Sequence, residues 1–403
     1  MNNVLGIIAE YNPFHNGHKY LLDLAKKESK SNYCVAIISG NFTQRGDCSI
    51  VNKWEKTKMA LYSGVDLVIE LPTLYSISSA ETFASAATTL MNSIGIVSHI
   101  SFGVENQELE KFKKIADFLV KEPVEYKKIF NETLDKGLSY PQARQNSVKE
   151  CLGEDYSNLL ISPNNILAIE YLKQLSKLHS SITPILIKRE SCDHNSLELN
   201  NTFASSTLIR NLISQKNFNT LRNVIPGKSF EILQDCYKHG EIVDNISVFS
   251  NIIIYKLRMM SISDISNIPY VSEGLEFLIK RTAESTNDLE ELISIIKSKR
   301  YTRTRINRIL LCVLLDIKKQ DYSTYTENQI RILGFTQNGK KLISDIHNKN
   351  PSLKIILSVK KFLDNNPNNR LLDIDITATN IYTLGYKQKS MSNYDFTQKV
   401  IEI

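Results

Sequence analysis

Apolar residues fall into two alternating patterns through the first half of the chain. Continuous runs rich in β-branched residues occur at Val4-Leu5-Gly6-Ile7-Ile8-Ala9, Tyr33 to Ile38, Leu67 to Leu71 and Val97 to Phe102. Tyr11-Asn12-Pro13, Ser39-Gly40-Asn41, Pro72 and Gly103 close them in turn. Such runs predict buried strands. Between them, Leu21, Leu24 and Ala25, then Trp54, Ala60 and Leu61 ahead of Gly64, then Thr82 to Met91, predict helices. Strands that are apolar throughout and separated by helices imply an α/β fold with a parallel sheet covered on both faces. Sheets of this kind bind ligands at the carboxyl ends of their strands. Pro163 to Leu175 reads as another helix and Ile182 to Ile187 as a fifth strand. Ser205-Ser206-Thr207 opens a helix to about Ser214, with hydroxyls suited to its N-cap.

From Phe218 the spacing becomes helical, through 249–260, 271–282, 287–297 and 305–317. This divides the chain into an α/β part, 1–217, and a mostly helical part, 218–403. Within 331–403, Leu353 to Val359 and Leu371 to Ile376 are strand-like, and Asn365-Asn366-Pro367-Asn368-Asn369 is a loop. No repeat or heptad array is present.

Composition narrows the class. With 42% hydrophobic and 23% charged residues the chain is globular rather than disordered. The longest apolar run, Ile309 to Leu315, falls far short of a bilayer span of roughly 20 residues. Met1-Asn2-Asn3 has no basic character and Glu10 interrupts the apolar stretch after it, so the expectation is a cytoplasmic protein without signal peptide or membrane association. The six cysteines, Cys34, Cys48, Cys151, Cys192, Cys236 and Cys312, form no CxxC pair and fit a reduced compartment. A net charge of +6 permits an anionic partner without requiring one.

The stretch from Ala9 to His18 (AEYNPFHNGH) lies where the first strand hands over to the first helix. A helix N-terminus favours anions through its free N–H groups and dipole. Imidazoles at His15 and His18 add donors for phosphoryl oxygens as charge builds in a transition state. Gly17, lacking a Cβ, lets phosphates approach the backbone. The same histidines could be structural caps, or ligate a metal with Glu10; the reading adopted has no metal site. This HxGH pattern after strand one resembles the HIGH superfamily of nucleotidyltransferases, which cleave ATP between its α- and β-phosphates. The resemblance implies a Rossmann-like nucleotidyltransferase sheet over residues 1–217.

One branch of that superfamily is matched more widely. The Ala9 to His18 stretch, Ser39 to Asp47 (SGNFTQRGD), Asp66 to Pro72 (DLVIELP), Ser101 to Glu105 (SFGVE) and Ser162 to Leu167 (SPNNIL) resemble the signatures of the bacterial tRNA(Met) cytidine acetate ligase family, in the family's order. Fainter similarity continues at Ile332 to Phe335 and Ala378 to Tyr382. Cys48-Ser49 departs from the family's Pro-Ala. The resemblance implies that acetate is activated on ATP, with Mg²⁺, as acetyladenylate. The acetyl group then passes to N4 of the wobble cytidine of elongator tRNA(Met). It implies catalytic roles for His15 and His18. It implies ATP contacts from Ile7, Ile8, Ala9, Glu10, Tyr11, Asn12, Pro13, Phe14, His15, Asn16, Gly17, His18, Lys19 and Tyr20. Gly103, Asn165, Arg189, Ser205, Ser206 and Arg210 join them. Asn164 is an alternative to Asn165, and for each of these later residues an ordinary turn, cap or surface role is the competing reading. Asn41, Gln44 and Arg45 are candidates for an acetate or cytidine pocket, or for a loop held by its own hydrogen bonds.

Lys297, Lys299, Arg300, Arg303, Arg305 and Arg308, with Tyr301 among them, make a basic stretch suited to tRNA phosphates or, alternatively, a solvated face. No protein partner is evident. Two other functions compete: a small-molecule adenylyltransferase or carboxylate–amine ligase of the same superfamily, and an RNA-binding protein with a dead nucleotide site.

Overall fold

Side-chain alternation along the strands dictates the layers of the computed structural model, which describes residues 3–189, 202–323 and 328–403. The strands are β1 (Val4–Ala9), β2 (Tyr33–Ser39), β3 (Phe42–Thr43), β4 (Asp47–Cys48), β5 (Leu67–Leu71), β6 (His99–Val104), β7 (Thr183–Lys188), β8 (Gln329–Phe335), β9 (Lys354–Ile356) and β10 (Ile401–Glu402). Leu5, Ile7, Cys34, Ala36 and Ile38 point into one core with Leu22 and Ala25 of the helix Asn16–Ser29. Val35, Ile37, Ile100 and Phe102 point into the other, with Phe83 of the helix Ala80–Ser93 and Tyr171 of the helix Pro163–Lys177. A period of two along each strand thus puts helices on both faces.

Strands β5-β2-β1-β6-β7 lie side by side and are all parallel. The chain winds outward from β1 through β2 to β5, then crosses back to β6 on the other side of β1. The winding direction therefore reverses between β1 and β6, and a crevice opens at their carboxyl ends. The five predicted strands and the helices between them are present.

The C-terminal part departs from its pattern. After the helices Ser250–Met259, Leu275–Ser285, Leu289–Ile296 and Arg303–Leu314, the chain returns as β8, antiparallel to β5, with β9 and β10 alongside. The 218–403 region thereby completes the sheet that the first part begins. Leu371 to Ile376 is not a strand. Asn369 caps the N-terminus through Leu372 N, and Leu372, Asp375, Ala378, Thr379 and Tyr382 form the buried side of the helix Arg370–Tyr382. The local alternation of LLDIDI mimics a strand, and capping decides for the helix. Of Leu353 to Val359, only Lys354–Ile356 is extended, because Val359 already begins another helix.

A buried charge network ties these late elements to the sheet. Lys53 Nζ lies 2.9 Å from Glu70 Oε1 and 2.7 Å from Asp395 Oδ1. Arg331 on β8 reaches Glu70 at 3.2 Å and Asp395 at 2.5 Å. All four side chains are almost wholly buried. Burial alone would raise the Asp395 carboxyl, but Lys53 and Arg331 outweigh it and hold it at about 2. No helix among the described residues is long and apolar enough to cross a membrane. The five described cysteines form no disulfide, and Cys192 lies outside the described residues.

Candidate active site

His15 sits at the junction of β1 and its following helix as the N-cap. Its Nδ1 accepts from Gly17 N at 3.1 Å, and its own backbone N–H donates to His18 Nδ1 at 3.2 Å. The reciprocal bonds form a capping box with imidazoles in place of the usual hydroxyl and carboxylate. The rings stack with centroids 3.8 Å apart. Both Nδ1 atoms are acceptors, so each neutral ring carries its proton on Nε2. His15 Nε2–H accordingly donates to Ser206 Oγ at 3.0 Å, and His18 is left with Nε2–H as its donor. Burial pushes the His15 imidazole down to about 3, helped by the positive charges of Arg189 and Arg210. Burial, His15 and Arg189 also lower His18 well below its ordinary value. The site therefore presents two neutral N–H donors at a helix N-terminus.

These donors line a cavity of about 850 Å³ at the strand ends. Arg189 follows β7 and folds over Gly103, where a Cβ would stand 3.2 Å from Arg189 Cγ. Ser205 caps the helix Ser206–Ser214 through Leu208 N, so Ser206, Thr207 and Arg210 face the cavity from a second helix N-terminus. Arg210 is steadied by Asn12 O and Thr207 Oγ1. The result is an anion cradle of two helix termini, two guanidinium groups and a hydroxyl. The opposite wall comes from the β3–β4 hairpin and the helical region. Gln44 N donates to Glu10 Oε1 at 2.7 Å, and Arg308 donates to Gln44 O at 3.3 Å. Fully buried Lys56 donates to the carbonyls of Glu10 and Ser39 at the ends of β1 and β2, and burial lowers it to about 7.

Residues 1–397 match the HIGH Nucleotidyl Transferase family. A tRNA(Met) cytidine acetate ligase of Thermoanaerobacter sp. is 44% identical over 402 residues, covering 99% of this chain and 100% of the relative. The ligase of that name from Acetivibrio thermocellus is 40% identical over 412 positions, covering 99% of both. The chain belongs to the tRNA(Met) cytidine acetate ligase family. Among solved structures, apo Thermotoga maritima TmcAL is similar with a TM-score of 0.94 at 30% identity, over 100% of this chain and 99% of that one. The same protein bound with alpha-thio ATP gives 0.91 at 30% identity and the same coverage.

Against this family background the predicted residues separate. Ile7, Ile8, Ala9, Glu10, Tyr11, Asn12, His15 and His18 line the cavity. Gly17, Tyr20 and Ser205 line a small adjoining one of about 50 Å³. Pro13, Phe14, Asn16 and Lys19 line neither: Phe14 is core, Asn16 donates to Thr202 O and Asn223 O, and Lys19 pairs with Asp23. Asn165 lies beside the cavity wall rather than on it. It is buried, with both ends of its amide used on Glu105 N and Asn106 Oδ1, and it holds the loop after β6; Asn164 is the one that lines the cavity. Asn41 lies in the core. Its amide accepts from Lys53 N and donates to Thr379 Oγ1 inside the core, whereas Gln44 and Arg45 reach the cavity.

The basic stretch divides too. Lys297 and Lys299 are exposed. Arg300 lines the cavity and pairs with Glu273, and Arg303 pairs with Glu290. Arg305 donates to Tyr270 O and Ser272 Oγ, and Arg308 packs over Tyr270. Sequence reasoning passed over Tyr140, Arg144, Glu170 and Tyr171, all of which line the cavity. A signal was present. Pro163, Ile166, Leu167, Glu170 and Tyr171 share one helical face, an otherwise apolar stretch into which Glu170 brings a carboxylate.

Burying two neutral histidines has a pH cost. Unfolded histidines take up protons below about 6.5, and folded His15 does so only near 3, so stability falls as pH drops below 6.5. His15 alone contributes a slope of about 1.4 kcal/mol per pH unit there. His15→Asn keeps the N-cap acceptor and removes the titration. Urea unfolding between pH 7 and 5 should show a flatter pH dependence in that variant by about this amount.

Proposed function

We propose that this chain activates acetate with ATP and transfers the acetyl group to N4 of the wobble cytidine of elongator tRNA(Met). An acetate oxygen attacks the α-phosphorus, an O–P bond forms, and the bond to pyrophosphate breaks. N4 then attacks the acetyl carbon of the mixed anhydride, AMP departs, and N4 gives up a proton. Acetate needs this activation because its own leaving group would be oxide.

The observation that carries the reading is the pair of neutral Nε2–H donors at the β1–β6 switch point, beside Arg189, Arg210 and Ser206. Neutral donors suit charge that develops during phosphoryl transfer, because they stabilise it without a fixed charge that would hold pyrophosphate back. Among the described residues no group of three or more His, Cys, Asp or Glu side chains could hold a metal ion. Mg²⁺ is proposed to arrive on the triphosphate as part of the substrate. A smaller-substrate adenylyltransferase would leave the basic cavity rim without a role. Acetate-dependent exchange of labelled pyrophosphate into ATP tests the first step; exchange that ignores acetate would contradict it.

The tRNA is proposed to approach over Lys297, Lys299 and Arg300. Neutralising Lys297 and Lys299 together should weaken tRNA binding. It should also lower the slope of log affinity against log salt by roughly 0.7–0.9 for each phosphate that is no longer neutralised. Filter binding across a salt series reads both, and pyrophosphate exchange serves as the folding control. An unaltered slope would mark the two lysines as a solvated face.

A further inference from the structure

We infer that Arg144, held by Glu170, is the residue that recognises the cytosine ring, in a subsite on the opposite face of the sheet from the phosphate cradle. This rests on the proposed function. The cavity crosses the strand ends. On one side lies the helix Asn16–Ser29, whose Leu22 and Ala25 belong to one core; on the other lie the helices Ala80–Ser93 and Pro163–Lys177, whose Phe83 and Tyr171 belong to the other. Two substrates that meet at one α-phosphate can therefore enter from opposite faces.

Arg144 is on the helix Tyr140–Leu152 and is 6% exposed. Its Nη1 bonds Glu170 Oε1, but Nε and Nη2 are buried without a hydrogen-bond partner. Ser101 Oγ on β6, lining the same cavity, is also buried and unpartnered. A buried charged donor left unpaired is costly, and a ligand acceptor would relieve the cost.

The surroundings choose the ligand. Glu170 also faces Lys173 at 3.2 Å, and Lys173 faces Glu81 at 2.5 Å. The charges alternate and cancel, so the wall has no net positive charge with which to hold a carboxylate such as acetate. It suits a neutral polar ring. Phe102 and Tyr171, 5.2 Å apart, supply aromatic surface for a base taken out of its stack. Cytosine carries acceptors at O2 and N3, which match guanidinium N–H donors. With those atoms engaged, the N4 amine on the same edge of the ring is left to face the acetyl group.

The test combines a protein change with a base deletion. Anticodon stem–loops of elongator tRNA(Met), with the wobble cytosine present or with that position abasic, are bound to the enzyme carrying a nonhydrolysable ATP analogue. The wild type should prefer the cytosine loop by about 5- to 150-fold. Arg144→Met should bind both loops with the affinity the wild type has for the abasic one. Arg144→Lys keeps the charge beside Glu170 but not the fork, and should also lose most of the preference; it carries the test if the Met variant does not fold. A variant that keeps the preference, or weakens both loops equally, overturns the assignment. So does a raised acetate requirement in pyrophosphate exchange with the preference intact, which would place acetate there instead. A wild type that acetylates tRNA but binds the two loops alike overturns this inference alone. A wild type that acetylates no tRNA overturns the proposed function and this inference with it.

Discussion

Replacing His18 with Ala is expected to slow acetate-dependent pyrophosphate exchange by about 10²–10³ while ATP affinity changes far less. His18 Nδ1 is committed to the His15 backbone N–H, which leaves Nε2–H to meet the charge that grows on the phosphoryl oxygens. Binding of the ground-state triphosphate draws on Arg189, Arg210 and two helix termini as well, so removing one donor weakens it little. His18→Asn separates the two roles of the ring. Its Oδ1 can still accept from His15 N, so the helix start survives, but the outward donor is gone. Exchange in the Asn variant should be as slow as in the Ala variant, with an unchanged unfolding midpoint. Near-normal exchange in either folded variant would remove His18 from the chemistry.

Asp395→Asn should cost about 3–5 kcal/mol of stability. The substitution leaves Lys53 and Arg331 buried with Glu70 as their remaining ion-pair partner. A buried network that loses one charge keeps the desolvation cost of the others and gives up the attraction that offset it. The loss should grow no further as pH falls, because the wild-type carboxyl stays ionised to about 2. The wild type should lose this contribution as pH falls below the ordinary aspartate value of 3.8 and on through about 2. Denaturant unfolding of both proteins at pH 7 and pH 5, and again below the ordinary aspartate value, checks both statements. A loss under about 1 kcal/mol would mean that the C-terminal segment is not fastened to the sheet through these charges.

The parts of the fold legible in the sequence are those whose signals are local. β1, β2, β5 and β6 are continuous apolar runs with turn residues at their ends, and the HxGH stretch sits where strand order predicts a ligand. Ser205 announces its helix by its own hydroxyl. What was not legible depends on partners far apart in sequence. Nothing near Arg331 shows that it will meet Glu70 and Asp395, so the return of β8 to the sheet could not be read locally. Asn41 and Asn165 stand in polar loop motifs, and only the folded chain shows which neighbours their amides bond. Arg144 and Glu170 are 26 residues apart, and nothing local to either shows that they will pair. At 371–376 a short alternating run was outweighed by a cap two residues before it.

One measurement tests the central claim most directly. The purified protein is incubated with ATP, labelled acetate and total tRNA, and the RNA is digested to nucleosides. The account predicts label in N4-acetylcytidine, confined to the wobble position of elongator tRNA(Met) and dependent on ATP. Label that never leaves acetate, or that appears in a small-molecule adenylate without reaching RNA, would contradict it.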